Sequence, residues 1–525
     1  YVTVLEALSR QNAIRAVPTR LESSATFAAE AYAALRRKPA CVFVSRAPGA
    51  ANASIGVHTA MQSSRPMVLF VANIPRSMKQ REAFQEIDYR MMYGPIAKAV
   101  FDVHSFDELA SVTARALDLS VSGRPGPVVV AVSRDVLDGR TGEPQIPKLA
   151  PKVVAGADPG SIDAIARLLN AAKHPIVLAG EMVAFERAHA SLKTFVEASG
   201  AGVLAAYRQQ DVFPNTHPAW LGQLALNRTE HTEQALDDCD FLLCLGSRLD
   251  SVTTDDYAMF RDNQKVAVVY PEPSMFSQWQ PDIALAANVA PTLDALIGAL
   301  RESIPPQRLA WRKSAHDKEV AAAQPGDLTV QGDVNMAEVI ATFKERVPND
   351  AVMVADAGTF GRWIQRFYQY DSPDSSLGPV SGAMGYGVPG GIGAAVADGS
   401  RQTFVWVGDG GFLMTGQEAA TIVQEQLPVI IIVCDNAAWG SILVYEQKRF
   451  PGLEFGTMLR SPDFAGLGTS YGMTSFAVTR TEDFAAALDG AMAAKGPALI
   501  HLRLDARDVS PFPVEPPAPG AKLGD

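Results

Sequence analysis

The feature that most constrains the fold is a repeated alternation between short apolar runs and longer amphipathic stretches. Residues 41–45, 128–132 and 241–244 are short runs rich in Val, Phe and Leu, as expected for buried strands. The stretches between such runs are rich in Ala and Leu and have the spacing of helices. Alternating strands and helices form parallel sheets that are covered by helices. The sequence therefore predicts an α/β protein.

Length and two changes in composition predict three domains. A chain of 525 residues is too long for one small fold, since domains usually have roughly 100–200 residues. A Pro- and Gly-marked segment, 142–160, and a polar segment, 322–333, interrupt the alternation and are typical of linkers. No short-period repeat indicates a solenoid or propeller. We expect three doubly wound, flavodoxin- or Rossmann-like domains and a proline-rich tail, at 1–145, 160–305, 335–510 and 511–525.

Composition argues against several classes of partner. The chain has 46 Lys and Arg against 57 Asp and Glu, a net charge of −11, and no basic run for a phosphate backbone, so we expect no nucleic-acid partner. The longest apolar stretches, such as 427–434 and 67–72, are shorter than the roughly 20 residues that cross a bilayer, so we expect no membrane partner. The cysteines lack CxxC or metal-binding spacing, which favours the reducing cytoplasm; they are Cys41, Cys239, Cys244 and Cys434.

Segment 403–441 carries the strongest chemical signal. It is predicted to form a strand, turn, helix, strand and turn, with Gly-Asp-Gly-Gly at 408–411 after the first strand and Asp435-Asn436 after the second. Both turns then lie at the carboxyl edge of a parallel sheet, where ligands bind. Asp409 and Asn436 can converge there on one hard cation. The glycines let backbone N–H groups approach a diphosphate at the following helix.

A Gly-rich turn and an unrelated Asx turn are the alternative interpretation of this segment. The matching strand ends favour a Mg²⁺–diphosphate site instead. The segment is not a Walker A loop, because no Gly-Lys-Ser/Thr follows, and it lacks the GxGxxG pattern of dinucleotide-binding enzymes.

Gly-Asp-Gly followed 27 residues later by an Asn resembles the signature of thiamine diphosphate-dependent enzymes, in particular the acetolactate synthase-like group of decarboxylases and carboligases. The resemblance covers nearly the whole chain, because Ser-Gly-Ala-Met-Gly-Tyr-Gly-Val-Pro at 381–389 also matches the cofactor loop of the family. It implies the three-domain architecture of that family, with thiamine diphosphate and Mg²⁺ as cofactors and a small carbonyl compound as substrate.

The resemblance also implies roles for individual residues. Asp409, Asn436 and the carbonyl of Ala438 would bind Mg²⁺. The carbonyl of Gly382 and the N–H of Met384 would bind the aminopyrimidine, with the Met384 side chain wedged beneath the cofactor. The remaining expected cofactor contacts are Gly358, Thr359, Ala383, Gly408, Gly410, Gly411, Trp439, Gly440 and Ser441.

The N-terminal third matches the part of the family that activates the cofactor. Glu22 occupies the place of the glutamate that hydrogen-bonds N1′ of the pyrimidine, and a carboxyl group there can share a proton with the ring. Leu21 stands where the family usually has His. Asn52 matches a cofactor-proximal amide, while Phe84 would line the substrate pocket and Gln85 would approach the reacting centre.

In these enzymes, one active site is built from the pyrimidine domain of one subunit and the diphosphate domain of another. The resemblance therefore implies a homodimer or homotetramer, in which Glu22 acts on a cofactor held by Asp409 and Asn436 of another chain. The family's first strand and a Gly-x-Pro-Gly loop would precede the position of Tyr1.

The type of reaction is suggested by substitutions in the family pattern. Among the eight histidines, only His58 lies near a matched motif, and without a His to protonate the intermediate we favour carboligation over simple decarboxylation. Val252 replaces the Arg that would hold the carboxylate of a second 2-oxo acid, and Tyr445 replaces a Trp. An uncharged acceptor or hydrolytic cleavage of a diketone fits these changes.

Two other functions and one further cofactor have to be weighed against this interpretation. A catalytically silent paralogue would also bind the cofactor, although it would not need Glu22, Asp409 and Asn436 together. A nicotinamide-linked dehydrogenase is disfavoured because the chain lacks the glycine pattern of that class of enzyme. Some relatives bind FAD in the central domain, and Arg248 is the residue that would serve this purpose.

Overall fold

All pairings between strands are parallel in the part of the chain that the structure describes, and these strands form three sheets. The structure is a computed structural model, which describes residues 1–138, 146–148, 151, 153–226, 228–301, 303–326 and 328–511. Helices flank each sheet. The prediction of three α/β domains is therefore confirmed.

The N-terminal sheet has four strands in the order β1-β2-β4-β3. Its central strands are fully or almost fully buried and are apolar except for Asn73 and Ser133 at their ends, as expected for a parallel sheet covered on both faces. The strands are β1 (Ala40–Val44), β2 (Met67–Asn73), β3 (Ala99–Val103) and β4 (Pro127–Ser133). The helices are α1 (Val2–Ser9), α2 (Glu22–Arg36), α3 (Ala47–Gln62), α4 (Tyr89–Tyr93), α5 (Phe106–Val121) and α6 (Arg134–Leu137).

The central sheet has six strands in the order β10-β9-β8-β5-β6-β7. They are β5 (Pro175–Ala179), β6 (Gly202–Ala205), β7 (Trp220–Gln223), β8 (Phe241–Leu245), β9 (Lys265–Val269) and β10 (Ile283–Leu285). The helices are α7 (Pro159–Ala171), α8 (Glu181–Phe185), α9 (His189–Ser199), α10 (Glu230–Asp238), α11 (Phe276–Trp279), α12 (Val289–Gly298) and α13 (Pro306–Ala322). Helix α13 follows the predicted limit at 305 but packs on the central core through Trp311 and Ala315.

The C-terminal sheet has the order β12-β11-β13-β14-β16-β15. Its strands are β11 (Val352–Ala355), β12 (Ser376–Leu377), β13 (Thr403–Gly408), β14 (Val429–Asp435), β15 (Thr474–Val478) and β16 (Ala498–Arg503). The helices are α14 (Met336–Arg346), α15 (Phe360–Phe367), α16 (Gly387–Ala397), α17 (Asp409–Thr415), α18 (Ala419–Gln424), α19 (Gly440–Arg449), α20 (Phe464–Tyr471) and α21 (Phe484–Ala493). Of the predicted tail, only Pro511 lies within the described residues.

The N-terminal and C-terminal domains of one chain are in direct contact through α2 and α16. A Cβ atom at Gly393 on α16 would lie 2.0 Å from the carbonyl oxygen of Ala28 on α2, so the two helix backbones touch. The hydroxyl groups of Thr59 and Ser381 are 2.8 Å apart across the same interface. Among the described residues, no helix combines the length and apolarity needed to cross a membrane.

We predict that Gly393→Ala lowers the thermal stability of the protein. The added methyl group would meet backbone, which cannot rotate away, and such overpacking usually costs about 1–3 kcal/mol. The apparent melting temperature should fall by several degrees in a thermal denaturation experiment. Gly298→Ala is the matched control, because a Cβ there has nothing within 4 Å; equal melting temperatures for the two variants would contradict the prediction.

Candidate functional site

A cleft of about 620 Å³ opens at the carboxyl edge of the C-terminal sheet. Strands β13 and β14 are neighbours there, with Gly408 paired to Cys434, so the turns that follow them lie side by side. The cleft is lined by most of the predicted cofactor contacts: Gly358, Thr359, Met384, Gly408, Asp409, Gly410, Gly411, Asn436, Ala438, Trp439, Gly440 and Ser441. Its apolar wall is formed by Phe360, Trp363, Ile442, Leu504 and Val509.

Asp409 directly follows β13 and is the first residue of α17. No other Asp or Glu that lines the cleft directly follows a strand. Its side chain is 3% exposed. Burial raises the pKa of the Asp409 carboxyl to about 6, and the nearby Asp435 adds to this effect, while hydrogen bonds from Gly410 N–H and Ser461 oppose it. A cation bound at Asp409 would offset this cost of burying the charge.

The turn after β14 places Asn436 and Ala438 among the residues that line the cleft. Ala437 has a left-handed backbone (φ 50°), and its N–H donates to the Asp435 carboxylate over 3.0 Å. The turn is held from outside by segment 457–459, because Trp439 N–H donates to the Thr457 carbonyl over 2.8 Å. Asn436 and Ala438 therefore line the same cleft as Asp409.

Two glycines are required by close contacts around this turn. A Cβ at Gly440 would lie 2.6 Å from Thr359 Oγ1 and 3.1 Å from Asn436 Nδ2. A Cβ at Gly410 would lie 2.3 Å from the Trp439 ring. A side chain at either position would therefore displace residues that line the cleft.

The loop before α16 is fixed by Asp356 at the end of β11. The Asp356 carboxylate accepts hydrogen bonds from the N–H groups of Gly385 (3.0 Å) and Tyr386 (3.2 Å). Burial raises the pKa of this carboxyl group to about 6, although these hydrogen bonds act to lower it. Gly382 and Gly385 both have left-handed backbones (φ 71° and 82°). Of the three residues expected to contact the pyrimidine, Met384 lines the cleft, whereas Gly382 and Ala383 precede it in the loop.

The N-terminal candidate residues lie outside this cleft. Glu22 begins α2, and its Oε2 accepts a hydrogen bond from Asn52 Nδ2 over 3.0 Å. Phe84 is 80% exposed and Gln85 has a left-handed backbone (φ 65°) in the same loop. All cleft-lining residues fall within 357–509. Within one chain, the structure therefore does not bring these four residues to the Asp409 side of the site.

A buried histidine that the sequence analysis passed over lies behind the cleft. His501 on β16 is 1% exposed, and its Nε2 is 2.8 Å from Asp435 Oδ2. Burial alone would raise the pKa of Asp435, but hydrogen bonds from His501, Ser461 and Ala437 N–H hold it below its usual value. Ser461 also lies 3.3 Å from Asp409 Oδ2. The expectation that only His58 lies near the motifs is thus wrong, because strand order, not sequence distance, brings His501 beside β14.

At the topological switch point of the central domain, between β5 and β8, the segments that follow the two strands are in close contact. The N–H of Gly180 donates to the Leu245 carbonyl, and the N–H of Met182 donates to the Gly246 carbonyl, both over 2.9 Å. A Cβ at Gly180 would lie 2.4 Å from the Ser247 Cα. Main chain of these two segments therefore meets just beyond the strand ends, where such sheets bind dinucleotides.

Three family models match the chain in order: the N-terminal TPP binding domain of thiamine pyrophosphate enzymes at 1–92, their central domain at 162–296 and their C-terminal TPP binding domain at 356–502. The large subunit of acetolactate synthase isozyme 1 from Escherichia coli K12 is 30% identical, over 98% of this chain and 91% of its own length. A probable acetolactate synthase large subunit from Methanocaldococcus jannaschii is 27% identical, over 94% and 86%.

Among solved structures, a Mycobacterium smegmatis protein provisionally described as a thiamin diphosphate-dependent enzyme has the same fold. Its TM-score is 0.78 at 21% identity, covering 93% of this chain and 92% of that one. The chain belongs to the thiamine pyrophosphate enzyme family. Within this family it is an acetolactate synthase-like member, which confirms the resemblance noted from its motifs.

We predict that Gly440→Ala weakens the binding of thiamine diphosphate by about tenfold or more, since its methyl group would displace Thr359 or Asn436 at the cleft. Isothermal titration of the cofactor measures this effect. Gly361→Ala is the control, because a Cβ there has nothing within 4 Å. Unchanged affinity in Gly440→Ala would show that this turn does not contact the cofactor.

Proposed function

We propose that this protein is a Mg²⁺- and thiamine diphosphate-dependent enzyme that forms or cleaves a carbon–carbon bond next to the carbonyl of a small 2-oxo acid. The observation that carries the proposal is that Asp409, Asn436 and Ala438 line one cleft in a chain of the thiamine pyrophosphate enzyme family. The names of the acetolactate synthase relatives support a carboligase.

The donor set at the cleft suits Mg²⁺. Asp409 would supply a carboxylate, Asn436 an amide oxygen and Ala438 a backbone carbonyl, which are hard oxygen ligands that leave positions for diphosphate and water. Among the described residues, no group of three His, Cys, Asp or Glu side chains could hold a metal ion by itself. Phosphate oxygens of the cofactor would complete the ligand set, so cation and cofactor would bind together.

Backbone and small side chains would hold the rest of the cofactor. Thr359, the glycines at 408–411 and the start of α19 would surround the diphosphate, where the first N–H groups of a helix have no partner within it. Gly382, Ala383 and Met384 would contact the pyrimidine. When bound, thiamine diphosphate supplies a carbon nucleophile for attack on a carbonyl. Glu22 would hold the proton that the pyrimidine ring exchanges, with Asn52 fixing the carboxyl group.

We further propose that two chains share each site, in a homodimer or a homotetramer. One chain alone leaves Glu22 and Asn52 outside the Asp409 cleft. Large apolar side chains are exposed on both halves: Ile55, Phe84 and Met91 in the N-terminal domain, and Leu413, Ile442 and Phe455 in the C-terminal domain. Burying these side chains against another copy would remove apolar surface from water. Phe84 and Gln85 would then face the substrate.

The proposed activity predicts that the protein, loaded with thiamine diphosphate and Mg²⁺, converts members of a panel of 2-oxo acids and diketones to products identified by mass spectrometry. Dialysis against a chelator should abolish activity, and Mg²⁺ should restore it. Glu22→Gln should retain cofactor but lose about 10²- to 10⁴-fold in turnover, as for loss of general acid–base catalysis.

Glu22→Gln should also slow hydrogen–deuterium exchange at C2 of the bound cofactor, a readout that needs no substrate. Wild-type exchange in this variant would refute the role of Glu22. Cofactor binding without turnover of any panel member would instead favour the silent paralogue.

Subunit complementation tests the shared site. Glu22→Gln and Asp409→Ala chains should each be inactive alone, because each destroys one half of every site. Mixed under conditions of subunit exchange, they should regain part of the activity, since one site in a mixed dimer has both intact halves. Subunit exchange is measured independently by recovering mixed dimers of two differently tagged chains, and exchange without recovery of activity would place each site within one chain.

A further inference from the structure

Segment 15–21, which leads into Glu22, lies against α18 of the C-terminal domain of the same chain. The residues of α18 and its flanks that bind this segment recur at every third or fourth position, so they share one face. They are Glu418, Thr421, Gln424 and Glu425. Arg15 and Arg20 supply the side-chain donors of the segment. The C-terminal domain therefore determines where the chain enters α2.

Glu418 binds the two residues that come directly before Glu22. The Glu418 side chain is fully buried, and its Oε1 accepts hydrogen bonds from the N–H groups of Arg20 over 2.9 Å and Leu21 over 3.1 Å. Leu21 is the N-cap residue of α2, and its apolar side chain cannot accept a hydrogen bond. A carboxylate at the start of a helix also interacts favourably with the helix dipole. Glu418 therefore fixes the backbone where α2 begins.

The side chain of Arg20 is bound to the same carboxylate through Thr421. The Thr421 hydroxyl donates to Glu418 Oε2 and accepts a hydrogen bond from Arg20 Nη1 over 2.6 Å. Both the backbone and the guanidinium of Arg20 are thus connected to Glu418, directly in one case and through one hydroxyl in the other. Burial of a carboxylate is tolerated when donors surround it in this way.

The carboxyl group of Glu22 is confined by other residues of the N-terminal domain. Asn52 Nδ2 donates to Glu22 Oε2 over 3.0 Å, and a Cβ at Gly49 would lie 3.1 Å from Glu22 Oε1. Glu418 thus fixes the main chain before Glu22, while Asn52 fixes its side chain. The residues found to line the Asp409 cleft do not include Glu418 in the part of the chain that the structure describes.

We propose that Glu418 is a positioning residue for Glu22. From the C-terminal domain it holds the start of α2, so that the Glu22 carboxyl group is aligned to exchange a proton with the pyrimidine of the cofactor. This inference rests on the proposed function, in which Glu22 acts on thiamine diphosphate. Misplacing a reacting group by about 1 Å can slow a reaction about 100-fold. Loss of Glu418 should therefore slow proton exchange without weakening cofactor binding.

The first test measures hydrogen–deuterium exchange at C2 of thiamine diphosphate in the holoenzyme. Glu418→Ala should slow this exchange by about 10- to 100-fold and change the affinity for the cofactor less than about twofold. Glu418→Gln should lie between, because it keeps one acceptor oxygen. Glu345→Gln, at an exposed residue of α14, is the charge-matched control and should exchange C2 at the wild-type rate.

A second variant keeps the inference testable if Glu418→Ala does not fold. Thr421→Val retains the volume of the side chain and the Glu418 carboxylate but removes the hydroxyl that connects it to Arg20. This variant should slow C2 exchange by about three- to tenfold, as for loss of a neutral hydrogen bond.

A double-mutant cycle separates alignment of Glu22 from a general structural role. In the Glu22→Gln background, Glu418→Ala should change the remaining C2 exchange less than about twofold, because the group that it aligns is already gone. Full additivity of the two effects would overturn the inference, and so would a loss of cofactor affinity as large as the loss of exchange.

Amide hydrogen exchange, followed by mass spectrometry of the holoenzyme, separates this inference from the proposed function. Peptides from segment 15–24 should exchange faster in Glu418→Ala than in wild type or Glu345→Gln, because two N–H groups lose their acceptor. Wild-type C2 exchange in Glu22→Gln would refute the proposed role of Glu22, and faster amide exchange would then still support the hold of Glu418 on the start of α2. Unchanged amide exchange in Glu418→Ala would overturn the inference whatever Glu22 does.

Discussion

The parallel pairing of β13 with β14 is the interaction on which the candidate site depends. It pairs Gly408 with Cys434, so Asp409 and Asn436 come just after the ends of adjacent strands. No long side chain is therefore needed to bring their polar groups close together. Because β14 is flanked by β13 and β16 and every one of its residues is buried, its end cannot shift without disturbing the core. The two metal ligands that we propose are therefore placed by sheet geometry and not by a flexible loop.

The sequence could predict this half of the site because all of its signals are local. Strand ends, glycines and the Asp and Asn residues lie within one segment, and parallel strands bring their carboxyl ends to one edge. The fold class was equally accessible from the alternation of elements. The three-domain family followed from motifs that extend over most of the chain.

What the sequence could not predict depends on strand order and on contacts between domains. His501 is one polar residue in an apolar strand, and nothing local shows that β16 pairs with β14. The position of Glu22 relative to the cleft likewise depends on how domains, and in our proposal chains, are arranged.

The pair formed by Asp435 and His501 also has a consequence for synthesis of the protein. The two residues are 66 positions apart, and a ribosome that adds about 5–20 residues per second needs roughly 3–13 seconds to make this segment. Until then β14 has a free edge where β16 will pair, and the Asp435 carboxylate lacks its imidazole partner. A nascent chain thus contains every proposed metal ligand before β16, the strand that supports them, has been made. During this interval it also exposes the apolar edge of β14, and such an edge is prone to aggregation.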